Sequence, residues 1–164
     1  MMISETMNAK LNEQITAEFA AAHKYLAMAC AFDSRGLKIL CQRFVQQAAE
    51  ERDHAMKILH YMLEVGGRVH LEAVPEPADQ FANPKAIVAA ALESEQHVTR
   101  LIHDLVSLAD SEKDYATRSF LQWFVDEQVE EVASMRDLLT LVELAGNNLL
   151  QVEARIRHEM MPKS

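Results

Sequence analysis

Apolar residues recur at alternating spacings of three and four through four long stretches of the chain, roughly 5–33, 37–65, 84–110 and 115–145, and through a short fifth at about 148–160. A helix turns once in about 3.6 residues, so this rhythm gathers the apolar side chains of each stretch on one face and predicts an all-α fold. The stretches break at Asp33-Ser34-Arg35-Gly36, Gly66-Gly67, Asp110-Ser111 and Gly146-Asn147, residue types that leave helices readily. Short turns after the first and third stretches make antiparallel hairpins. The connection from Gly66 to Pro84 is about 18 residues long and holds Pro75, Pro77 and Pro84; at about 3.3 Å per extended residue it can cross a whole bundle. The expected architecture is one domain over residues 1–164, a four-helix bundle with one long crossover and a short fifth C-terminal helix.

Each apolar stripe is interrupted once by polar residues. The first runs Leu11, Ile15, then Glu18, Ala22, Tyr25 and Ala29; the second runs Leu37, Leu40, Phe44, Ala48, then Glu51, Ala55, Ile58, Met62 and Val65. His54 follows Glu51 by three residues and shares its face. The third runs Val88, Ala91, then Glu95, Val98, Ile102 and Leu105, and the fourth runs Leu121, Phe124, then Gln128 and Glu131, Met135, Leu138 and Val142. Glu18 to Glu51 is 33 residues and Glu95 to Gln128 is also 33, as in a pseudo-repeat of two hairpins. Both pairs then meet at similar depths, a coincidence that scattered surface acids have no reason to produce.

A buried lone carboxylate costs several kcal/mol, so a cluster of them calls for neutralisation by cations. Carboxylate oxygens with one imidazole suit iron, and two close irons sharing a bridging carboxylate are what a Glu from each of two helices plus a Glu-x-x-His builds. The competing reading is a salt-bridged polar layer.

Composition narrows the class. Hydrophobic content of 49% with only four Gly and four Pro suits long uninterrupted helices. A net charge of −9 works against a sequence-independent grip on nucleic acid, which is built on clustered Lys and Arg, and suits cations better. No apolar run is long enough for a membrane span and neither end reads as a targeting segment, so the expected location is cytoplasmic. Cys30 and Cys41 do not make a disulfide scaffold and read as buried or half-buried thiols. His23, His60, His70, His97, His103 and His158 have no partner at metal-ligand spacing and read as surface residues.

Over nearly its whole length the chain resembles the prokaryotic non-haem ferritins. The residues that carry the resemblance are Lys10-Leu11-Asn12-Glu13-Gln14 leading to Glu18 and Tyr25, then Glu50-Glu51-Arg52-Asp53-His54, Glu95-Gln96, and the run from Phe120 to Glu131. The resemblance implies that Glu18, Glu51 and His54 hold a first iron, that Glu51, Glu95 and Glu131 form a looser shell for a second, and that Glu51 bridges. Gln128 corresponds to the glutamine beside the pair, and Tyr25 to a neighbouring tyrosine, a hydrogen-bond donor and electron source; read without the family, Tyr25 is an ordinary core tyrosine. Glu50, Glu127 and Glu130, with Glu131, match a third iron position on the cavity side. As bare sequence they are helix-surface charges.

The implied activity is ferroxidase: oxidation of Fe(II) by O2 or H2O2 at an intra-subunit di-iron site, and storage of the product as mineral inside a homo-oligomeric 24-mer cage. The segment Leu149 to Met160 would pack about a symmetry axis of that cage, or else fold against its own subunit. Two related readings compete. A rubrerythrin-like di-iron peroxidase would carry a rubredoxin domain with Cys-x-x-Cys pairs, which this sequence lacks. A haem-containing bacterioferritin would carry a haem-ligating methionine after the bridging glutamate, where Arg52 stands, so no haem is expected. Bacterioferritins also repeat Glu-x-x-His in both hairpins, whereas here Gln128 and Glu131 replace the second copy.

Overall fold

The computed structural model describes residues 1–162. Five helices follow one another: α1 (Glu5–Asp33), α2 (Lys38–Glu64), α3 (Pro84–Glu112), α4 (Tyr115–Ala145) and α5 (Leu149–Met160). α1 packs on α2 as one hairpin, α3 on α4 as the other, and α1 against α3.

The helix ends follow from local chemistry. Ser4 caps α1 by accepting from Met7 N at 2.9 Å, and Asn83 caps α3 by accepting from Ala86 N at 2.8 Å, with Pro84 opening the helix. At the first hairpin turn Gly36 takes φ 77°. Its N–H reaches Asp33 O while Leu37 N reaches Phe32 O, closing the last turn of α1 in a Schellman arrangement.

The second hairpin turn falls later than the Asp110-Ser111 break expected from the sequence. α3 continues to Glu112, because nothing at Asp110 or Ser111 removes a helical hydrogen bond, and Lys113 then takes the left-handed conformation at φ 55°. Lys113 N bonds Asp110 O and Asp114 N bonds Ala109 O, after which Asp114 caps α4 through Thr117 N at 3.0 Å. The end of α3 lies beside the start of α1, where Ser4 Oγ donates to the Glu112 carboxylate at 2.8 Å, so the two hairpin turns sit at opposite ends of the bundle.

The crossover runs along α1. Its start is tied there by side-chain amides: Arg68 N donates to Asn8 Oδ1 at 2.8 Å and His70 N to Asn12 Oδ1 at 2.7 Å. Its end meets the far end of the same helix, where Arg35 donates to Phe81 O at 2.6 Å. α5 packs on α2 and α4 of its own chain. Val152 and Ile156 enter the core there, and the buried Glu153 accepts from Leu40 N at 2.8 Å, capping an α2 N-terminus whose own N-cap residue, Leu37, makes no side-chain bond.

Two apolar clusters fill the bundle. One gathers Tyr25, Phe32, Leu40, Phe44, Val88, Met135 and Leu138; the other gathers Met7, Leu11, Ile15, Ile58, Met62, Ile102, Leu121 and Phe124. On every long helix the stripe switches from one cluster to the other where its polar interruption falls. Cys30 is exposed rather than buried, and Cys41 is half-buried. The six histidines other than His54 are all exposed, as expected.

Candidate metal centre

The layer between the two clusters holds the interruptions of all four stripes. Glu18, Glu51, His54, Glu95, Gln128 and Glu131 are all buried, with Glu18, Glu51 and Glu95 at 1% exposure each. Their ligand atoms form two overlapping groups, Glu18 with Glu51 and His54, and Glu51 with Glu95 and Glu131, each within 4.8 Å. Glu51 belongs to both. A third group joins His54 with Glu127 and Glu131.

His54 turns Nδ1 inward, 3.2 Å from Glu51 Oε2 and 3.9 Å from Glu18 Oε2, and turns Nε2 toward Glu127 Oε1 at 4.0 Å. Its ring is held edge-on by Trp123, with centroids 5.4 Å apart, and by Phe124 at 6.1 Å. Lys57 Nζ covers the outer face of Trp123 at 3.7 Å from the ring centre.

Amides and a phenol orient the carboxylates. Gln14 donates to Glu18 Oε1 at 3.0 Å; Gln47 donates both to Glu51 Oε1 at 3.0 Å and to Glu131 Oε2 at 2.9 Å. Tyr25 donates its hydroxyl to Glu95 Oε1 at 2.5 Å, and Gln128 donates to Glu95 Oε2 at 3.2 Å and to Thr99 Oγ1 at 3.0 Å. Among the described residues, Glu18 Oε2 is the buried side-chain oxygen left without a hydrogen-bond partner. An orphaned carboxylate oxygen facing an imidazole nitrogen is what a bound cation satisfies.

Gln14, Gln47 and Trp123 drew no functional role from the sequence. The signal for the amides was present: each stands four residues, one helical turn, before its acid, and Gln14 and Gln47 are themselves 33 residues apart.

The charges are unequal. Burial, then repulsion from Glu51, holds Glu18 well above the ordinary carboxylate range. Burial and the Glu51 charge push Glu95 up to about 8, and burial with the charges of Glu95 and Glu51 pushes Glu131 up to about 9. Glu51 goes the other way: burial opposes ionisation most, but the His54 bond and charge and the Gln47 amide together outweigh it. His54 is raised, its burial overcome by the Glu51 bond and by the charges of Glu51, Glu127 and Glu95. Burial and the neighbouring Glu95 and Glu51 raise the Tyr25 phenol well above its usual value. A layer that retains protons for want of positive charge exchanges them readily for metal cations.

Glu50, Glu127 and Glu130 stand outside the buried layer. With Glu131 and Gln47 they line a cavity of about 430 Å³ between α2 and α4, closed on one side by Ile156 and Glu159 of α5. Glu50 and Glu127 are half-buried and Glu130 is exposed. Burial raises the Glu50 carboxyl above its ordinary value, with His54 opposing.

Comparison with known proteins agrees with this fold. Residues 8–145 match the family model of the ferritin-like domain. The chain is 42% identical over 147 residues to a bacterial non-heme ferritin of Staphylococcus aureus, covering 90% of this chain and 89% of that one. It is 39% identical over 153 residues to ferritin BfrB of Mycolicibacterium smegmatis, covering 93% and 84% respectively. Among solved structures, an open pore ferritin from the archaeon Archaeoglobus fulgidus superposes with a TM-score of 0.93 at 45% identity, over 94% of this chain and 96% of that one. The chain therefore belongs to the ferritin family, as a prokaryotic ferritin that stores iron and has ferroxidase activity.

Proposed function

We propose that Fe(II) is oxidised within the single subunit, with Glu18, Glu51 and His54 holding one iron, Glu51, Glu95 and Glu131 the other, and Glu51 bridging the two. The observation that carries this reading is the pair of overlapping ligand groups sharing Glu51, with Glu18 Oε2 unpartnered beside His54 Nδ1. Iron is the substrate. Two Fe(II) give up one electron each, which together with two protons reduce O2 to H2O2, or H2O2 to two waters. The protein holds the two ions adjacent, neutralises their charge with carboxylates and excludes bulk water. Tyr25, bonded to Glu95, is placed to supply a further electron.

Product iron then passes to mineral inside a homo-oligomeric cage of 24 copies, and Glu50, Glu127 and Glu130 form a third, transit position in the cavity beside the pair. Several features support a cytoplasmic protein of this kind without haem. No helix among the described residues is long and apolar enough to cross a membrane. Arg52 is exposed, and a guanidinium has no lone pair to offer a haem iron.

The test is anaerobic loading with Fe(II) followed by air, with iron retained per particle measured after size-exclusion chromatography. Many irons per subunit retained in a large assembly are expected, and their loss in a Glu51→Ala, His54→Ala double variant. Oxidation that stops at about two irons per subunit would mark a resident di-iron centre instead, and unchanged oxidation in the double variant would sink the site assignment.

A further inference from the structure

Resting on that assignment of the two metal positions, we propose that Gln47 is a positioning residue that keeps Glu131 at the second position and thereby sets how tightly the second ion is held. Gln47 is buried at 6% exposure, one helical turn before Glu51. Its Nε2 lies 3.0 Å from Glu51 Oε1 on its own helix and 2.9 Å from Glu131 Oε2 on α4, so its two N–H groups tie the shared carboxylate of the pair to the outermost one. Gln14, its counterpart on α1, donates to Glu18 alone.

Glu131 has two sets of neighbours. It groups with Glu51 and Glu95 in the buried layer, and with His54 and Glu127 toward the cavity. Gln47 and Glu131 both form part of the wall of that 430 Å³ cavity. The Gln47 amide binds Glu131 to the first set, because the oxygen it holds is tethered to the Glu51 side. Without it, that oxygen is free to follow the cavity-side acids. An amide suits this position because it donates to both acids, adds no charge to an already acidic layer, and competes weakly for the metal.

The test uses Co(II), a redox-stable divalent probe, titrated into the assembled protein and followed by visible absorption and calorimetry. The wild type should bind two ions per subunit in the buried layer. Gln47→Leu loses the bonds to both Glu131 and Glu51, so the second ion, which uses both acids, should bind about tenfold or more weakly, while the first, which shares only Glu51, should weaken several-fold less. Gln14→Leu should give the reverse order, weakening the first ion. Gln47→Asn keeps the amide but is one methylene too short to span both acids, and should reproduce the selective loss without placing an apolar group in the layer. Equal weakening of both ions in the Gln47 variants, as a merely structural role would produce, overturns the proposal, as does an unchanged second ion. A wild type that binds fewer than two ions would instead overturn the underlying site assignment, so the two failures are distinguishable.

Discussion

The two hairpins put polar side chains at the same depth, yet they equip them differently. In α1–α2 the acids Glu18 and Glu51 are each preceded by an amide one turn earlier, Gln14 and Gln47, and Glu51 is followed by an imidazole. In α3–α4 the equivalent positions before Glu95 and Gln128 are Ala91 and Phe124, and Glu131 stands where His54 stands in the first. The electrostatics follow. In the first hairpin Glu51 is held below the ordinary carboxylate range while burial holds Glu18 well above it; in the second, Glu95 is pushed up to about 8 and Glu131 to about 9. A metal entering the first hairpin meets a carboxylate that is already charged. Protons must be displaced at either position, from Glu18 and His54 at the first and from Glu95 and Glu131 at the second, and both positions share the charged Glu51. One backbone plan thus offers an imidazole in the first hairpin and a carboxylate in its place in the second.

Removing the carboxylate common to both ligand groups should have the largest effect. Glu51→Ala deletes the shared carboxylate, and the initial rate of Fe(II) oxidation should fall by about a hundredfold or more, beyond what loss of a supporting hydrogen bond costs. Stopped-flow absorbance of the ferric product measures it; a fall of only a few fold would mean that the two ions are oxidised independently.

The sharper experiment makes the hairpins alike. Gln128→Glu with Glu131→His gives α4 the Glu-x-x-His of α2. The second ion should then be retained about tenfold more tightly, and mineral growth after the first turnover should slow correspondingly. Iron counts per subunit over successive additions decide this. Undiminished growth would break the link between the ligands of the second position and storage.

A smaller effect should appear in the pH dependence of stability. Unfolded glutamates ionise near about 4.3, below the folded values of about 8 for Glu95 and about 9 for Glu131. Between those limits the folded metal-free chain binds protons that the unfolded chain has lost, so its stability falls as pH rises from about 5 to 9. His54, also raised, adds to the fall within its own range, while the contribution of Glu51, lowered, is already complete. Thermal melts across this range should slope downward, and less steeply in Glu131→Gln, which is neutral at every pH. Binding of the second ion should strengthen over the same interval, with protons released.

The polar interruptions of the site were legible because a stripe of helical period announces its own exceptions: Glu18, Glu51, Glu95, Gln128 and Glu131 each fill a slot that the rhythm reserves for an apolar side chain. The amides were harder to see. Gln14 and Gln47 stand at the margin of a stripe, where glutamine is common on any amphipathic helix, and only the partner on a neighbouring helix distinguishes Gln47. The same holds for Glu153, whose bond to Leu40 N spans more than a hundred residues of sequence. The path of the crossover depends on Asn8 and Asn12, which the sequence places on α1 without saying what they hold. Only resemblance singled out Glu50, Glu127 and Glu130, which the structure gathers around one cavity.

The two hairpin turns give the comparison its smallest expression. Each closes on a left-handed residue, but the first uses Gly36 at φ 77° and the second Lys113 at φ 55°. A side chain in that conformation costs about 1–2 kcal/mol, which glycine avoids at the expense of greater freedom in the unfolded chain. Gly36→Ala should therefore destabilise by about 1 kcal/mol and Lys113→Gly should stabilise by somewhat less. A Cβ at Gly36 meets no atom within 4 Å, so backbone conformation rather than crowding is what the first substitution measures. Because the turns lie at opposite ends of the bundle with the buried layer between them, Co(II) affinity should stay constant while the melting temperature moves in opposite directions. Any change in affinity would mean that the hairpin turns set the depth at which the acids meet.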